Sequence, residues 1–136
     1  MTTINEARGA IYGAFVTGWG ATSVYTFDNE QYDPPDQTAW ARVTVRHTDR
    51  QQESLGPLLG RKFESEGSVF IQCFAPLDSG AATADTLAQV AQGIFEGKTL
   101  SPESIRFTSS AIREIGADDD WYQVNVEATF TYTTTK

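Results

Sequence analysis

The run from Gly67 to Phe95 constrains this chain more than any other segment. Ser68-Val69-Phe70-Ile71-Gln72-Cys73-Phe74 has the composition of a strand, and it passes through Pro76-Leu77-Asp78-Ser79-Gly80 into a helical pattern. Val69, Ile71 and Cys73 fall on one face of the strand, Phe70 and Phe74 on the other. Apolar residues on both faces place the strand inside a sheet rather than at its edge. Leu87, Val90, Ala91, Ile94 and Phe95 then form a helical stripe suited to packing on that sheet.

The flanking segments extend this pattern. Ile4, Ala7, Ile11, Ala14 and Phe15 are spaced for one face of an N-terminal helix running to about Val16, with Gly18-Trp19-Gly20 ending it. Gly9 and Gly13 within it each cost about 0.5–1 kcal/mol relative to Ala. That cost predicts close approach of another backbone or small residues tolerated by chance. Val24 to Phe27 reads as a strand, and Asp33-Pro34-Pro35-Asp36 as a proline-stiffened loop. From Ala39 the chain alternates, with Trp40, Arg42, Thr44 and Arg46 on one side and Ala41, Val43 and Val45 on the other. Thr48 to Gly60 is predicted to be a mobile loop or the tip of a long hairpin, with Arg61 to Glu66 a ragged strand returning to a turn at Gly67. Ile105 to Ile115 and Trp121 to Thr131 read as an antiparallel hairpin across Asp118-Asp119-Asp120.

The order of elements predicts a single α+β domain over 1–136, with an antiparallel-rich mixed sheet and an N-terminal and a central helix packed on it. Eight Phe, five Tyr and three Trp in 136 residues supply a core without disulfides or a structural metal. Cys73 is the only cysteine, which fits a reducing compartment. The N-terminus lacks the pattern of a signal peptide, and no stretch approaches the roughly 18 apolar residues of a membrane span. A formal charge of −8 argues against gripping the nucleic-acid phosphate backbone.

Motifs for chemistry are weak. Gly97-Lys98-Thr99 has the ending of a phosphate loop, but Gln92 stands where its first glycine belongs and the tripeptide follows a helix. Gly97 reads instead as a helix cap, with Lys98 beside the negative helix end. Gly18-Trp19-Gly20 lacks the third glycine of a dinucleotide fingerprint. His47, the lone histidine, is expected to be a solvated strand-end side chain, and the three aspartates a solvated turn rather than a calcium loop. No catalytic, cofactor-binding or metal-binding residues are assigned, and the chain is not expected to be an enzyme. Trp40, Arg42, Arg46, Arg50 and Arg61 are the candidate contact residues, because arginine and tryptophan are enriched at protein interfaces. Asp33, Asp36 and Glu64 are candidate partners for those cations.

The N-terminal helix, the Trp40 to Arg46 strand after its Pro-rich loop, the Gly67 strand with Phe74-Ala75-Pro76, and the closing Trp121 to Tyr132 strand together resemble the tail-terminator family of long-tailed bacteriophages. The resemblance spans nearly the whole chain and lies in element order rather than a sharp motif, so no family contact residue is transferred. It implies a structural virion protein, assembled in the host cytoplasm, that forms a hexameric ring at the head-proximal end of the tail. Such a ring caps the tail tube, stops its polymerisation and joins it to head-completion proteins, while DNA passes through without specific binding. Other expectations are another neck or tail-completion protein or, in a different class, a small-ligand-binding or enzymatic domain with a cleft near His47 and the arginines.

Overall fold

A computed structural model describes residues 3–30, 33, 38–52, 60–77, 81–100, 105–118 and 121–135. The expected α+β architecture is present: helix α1 (Ile4–Trp19), strands β1 (Val24–Phe27), β2 (Trp40–Gln52) and β3 (Lys62–Pro76), helix α2 (Ala81–Phe95), then β4 (Thr99–Leu100), β5 (Ile105–Asp118) and β6 (Trp121–Thr135). The strands form one sheet in the order β1-β2-β3-β6-β5-β4. Only β1 and β2 run parallel, so the sheet is mixed.

Helix α1 begins at a capping box, in which Thr3 Oγ1 accepts from the Glu6 amide and the Glu6 carboxylate accepts from the Thr3 amide. Two orphan donors of the first turn are thereby satisfied. The buried stripe is Ala7, Ile11, Phe15 and Trp19, one turn longer than the sequence pattern predicts, because Trp19 packs inward against Phe15 at 5.0 Å. The Trp19 indole N–H donates to the Ser23 carbonyl, so the exit turn belongs to the core. Gly20, at φ +54°, ends the helix.

Helix α2 buries Ala84, Leu87, Ala88, Ala91 and Phe95 against the same side of the sheet. It ends as expected at Gly97, whose φ of +70° suits a residue without Cβ. The chain then does something the sequence pattern does not predict, pairing Thr99 and Leu100 as a short strand against Arg106 and Ile105. On the sheet, Ala41, Val43 and Val45 lie level with Cys73, Ile71 and Val69, and these with Val124, Val126 and Ala128. All nine are buried under the helices. The opposite face is mixed, with Trp40, Phe70 and Phe74 among polar side chains, and Thr26, Thr44, Ser68 and Gln123 on it are also buried.

One expectation is corrected at Gly67. There is no turn there, since β3 runs without interruption from Lys62 to Pro76. A Cβ on Gly67 would press into the Arg46 carbonyl oxygen and come within 2.8 Å of Phe130 Cζ, so glycine is required by strand and ring packing. Of the expected loop, Thr48 to Gln52 belongs to β2, and β3 begins at Lys62. Residues 53–59 lie outside the described residues, as do Pro34, Pro35 and Asp36 and the aspartates at 119 and 120.

Candidate interface site

Strand β2 carries four of the five candidate contact residues, and the sheet places them differently from simple alternation. Trp40, Arg42 and Arg46 share the face away from the helices, as expected. Trp40 is nevertheless only 4% exposed. It stacks on Phe74 at 4.2 Å, meets Trp121 edge-on at 6.1 Å, and lies beneath the Arg42 guanidinium at 5.3 Å. Trp40 is thus the centre of an aromatic corner of its own subunit, and within it Arg42 contributes a cation–π contact.

A β-bulge between His47 and Asp49 separates Arg46 from Arg50. One extra residue in the strand moves every later side chain to the other face. Arg46 remains on the outer face, 3.9 Å from Asp28 with both side chains well exposed, a pair of small energetic weight. Arg50 lies opposite Ser65 on the helix side, with its guanidinium 5.4 Å from the Phe63 ring. Arg50, expected in a loop, therefore lies in the strand on the face opposite to Arg42 and Arg46. Arg61 is exposed just before β3. Of the expected acidic partners, Glu64 lies in β3 opposite Gln51, Asp33 is exposed, and Asp36 lies outside the described residues.

His47 precedes the bulge and follows the alternation of Ala41, Val43 and Val45 onto the helix side. Rather than pointing into solvent, its ring packs edge-on against Phe130 and Tyr132, and Nε2 lies 2.8 Å from the Tyr132 hydroxyl. Burial, with the Arg8 charge second, holds the imidazole below its ordinary pKa. Burial likewise raises Tyr132, despite a hydrogen bond with Ser65. Nδ1 of His47 and Nε of Arg8 are buried without a hydrogen-bond partner, while another nitrogen of Arg8 donates to the Val45 carbonyl at 3.2 Å. Nε2 and the Tyr132 hydroxyl share one hydrogen bond, and the tautomer of the ring sets which of them donates. Nothing in the sequence pattern pairs residues 85 positions apart, and this cluster could be found only in three dimensions.

Cys73 is fully buried, and burial pushes its thiol up to about 12. Its chemistry is that of a packed apolar side chain. Among the described residues no group of three or more His, Cys, Asp or Glu side chains is placed to hold a metal ion.

Two surfaces stand out beyond the predicted residues. An open groove of about 780 Å³ runs between the helices, lined by Ala10, Gly13, Ala14, Val90, Gly93 and Ile94 among others. The close helix approach occurs at Gly18, where a Cβ would meet Ile94 Cγ1 at 2.7 Å. Of the two readings of Gly9 and Gly13, close approach or small residues tolerated by chance, open space around both favours the second. The second surface is the rim of the sheet. Strand β1 covers β2 only from Trp40 to Val43, and β4 covers β5 only at Ile105 and Arg106. Single hydrogen bonds extend the cover to Val45, through Arg8, and to Phe107, whose amide donates to the Lys98 carbonyl. Beyond those points, among the described residues, no strand pairs with the outer edges of β2 or β5.

Comparison with known proteins gives a fold without a family. No protein-family model matches the chain, and no curated protein matches it. One solved structure, of a protein whose name states no function, is similar over 95% of this chain and 97% of its own, at 13% identity and a TM-score of 0.67. A chain from the virion of a native gene transfer agent (GTA) particle is similar over 95% of this chain and 94% of its own, at 14% identity and a TM-score of 0.48. The former establishes that this α+β fold occurs in another protein.

Proposed function

We propose that the protein is a structural subunit of a phage-like virion, a tail terminator that assembles into a ring, caps the tail tube and connects it to the head-completion proteins. The observation that carries this reading is that, among the described residues, no strand pairs with the outer edge of β2 beyond Val45 or of β5 beyond Phe107. Unpaired strand edges are templates for other strands. Two different edges on one subunit give a heterologous contact, and repeated heterologous contacts close a ring when the rotation permits. The element order behind the resemblance to tail terminators is realised in the fold, from α1 through the Trp40 strand and the β3–α2 unit to the long final strand. The acidic composition suits a conduit along which DNA slides without sticking. In this reading the protein is not an enzyme and acts by complementary surfaces.

The mass of the protein, alone at high concentration and in the presence of tail tubes, tests the proposal. A hexamer is expected in at least one of the two conditions. A strict monomer in both overturns the ring. Particles lacking the protein should carry overlong or unattached tails, whereas normal tail length would point to a different neck or completion role.

A further inference from the structure

We infer that neighbouring copies of this chain join edge to edge, with β5 from Ser109 to Asp118 of one copy pairing antiparallel with β2 from Arg46 to Gln52 of the next. The inference rests on the ring reading above and specifies the contact that closes it.

Strand direction is the first argument. β2, β3, β6 and β5 alternate in direction across the sheet, so β5 runs opposite to β2. Copies related by rotation about an axis running broadly along the sheet keep their strand directions. The β5 edge of one copy therefore meets the β2 edge of the next with antiparallel polarity, which allows ladder pairing with one bulge on each edge, at Thr48 and at Ile115.

The second argument is the diagonal placement of the open edges. The middle of the β5 edge, at Arg113, lies level with Asn125, Gln72 and Arg42. The middle of the β2 edge, at Asp49, lies level with Glu66 and Thr131. Glu66 and Gln72 are six positions apart along β3, about 20 Å at ~3.4 Å per residue. One copy contributes four long strands, a repeat of about 19 Å at ~4.8 Å per strand. A shift of that size over that width is a strand tilt of about 45°, at the upper end of the range for closed barrels. Edges at the same level would have required untilted strands. The offset here is the one a ring of tilted sheets needs.

Side-chain chemistry agrees with the geometry. Neither edge segment contains Lys or Pro, the residues that commonly blunt exposed edges. The β5 edge instead carries Ile112 and Ile115, 42% and 52% exposed. Setting Arg113 opposite Asp49 of the next copy keeps both on the outer face, and on the helix side it brings Glu114 opposite His47 with Arg50 diagonal to it. Within the subunit Arg113 pairs with Glu127 at 3.3 Å, and Asp49 accepts from the Arg50 amide and Gln51 Nε2. Asp49, Arg50, Arg113 and Glu114 are exposed, so these side chains can pair without uncovering a buried charge.

Hydrogen exchange of the full chain, assembled against diluted, tests the contact directly. Amides in 109–118 and 46–52 should exchange at least tenfold more slowly on assembly. In parallel, Arg113→Glu or Asp49→Arg alone should weaken association about tenfold, and the two together should restore it. Thermal melting of each variant checks that the subunit still folds. Assembly without protection at both edges overturns the inference and leaves the ring standing, as does failure of the double variant to recover. A dimer protected only at β5 would also overturn it, in favour of an isologous contact. A strict monomer removes both this inference and the ring.

Discussion

Gly67 is where one residue decides whether three strands can lie together. The Arg46 carbonyl oxygen that a methyl group there would strike belongs to backbone and cannot rotate away. Gly67→Ala is expected to destabilise the subunit by about 1–3 kcal/mol, the range for forcing a methyl into a packed site, and chemical denaturation will measure it. His47, distant from Tyr132 in sequence and against it in space, ties stability to pH. Its folded pKa is depressed below the unfolded value of about 6.5, so the unfolded chain binds the proton first. Its contribution is fully present above that value and is lost as pH falls through 6.5 toward the folded pKa. Wild-type protein should lose more melting temperature between about pH 7.5 and about pH 5.5 than His47→Gln does. Equal losses would show that other groups carry the acid sensitivity.

At the scale of elements, α1 was legible from its spacing, because Ala7, Ile11 and Phe15 recur every four residues and all three are buried. Its glycines were legible as a cost but not as a cause. Gly9 and Gly13 face open space, so nothing among the described residues demands them. Either to Ala should stabilise the isolated subunit by about 0.5–1 kcal/mol in a thermal or denaturant melt. A loss instead would mean that the open space is needed by the native helix. Strand β2 shows the opposite limit. Alternation correctly put Trp40, Arg42 and Arg46 on one face, but a bulge has no signature in RHTDRQQ and moved Arg50 to the other. Likewise, Trp40 had the composition of an interface residue, and only Phe74 and Trp121 beside it show that its own subunit covers it.

For the whole molecule, the net charge of −8 bears on any polyanion the protein meets. The purified protein should fail to retard duplex DNA in a gel at physiological salt, since a net charge of −8 repels the phosphate backbone. A retarded band that persists at that salt would argue against a passive conduit. Charge of this size also makes subunits repel one another, so association of copies calls for directional contacts such as those proposed for the edges of β2 and β5.

The amino-acid sequence by itself determined what depends on local period and composition: a helix at the start, a covered central strand leading into a second helix, a long final hairpin, and an acidic chain with one cysteine. Those features follow from the fixed periods of helix and strand, which any window of sequence displays. Tertiary structure alone decided the strand order, the bulge that splits the arginines, the His47–Tyr132 contact and the diagonal position of the open edges. Each of these joins residues distant along the chain, and register between strands is set by the packing of whole faces rather than by any segment on its own.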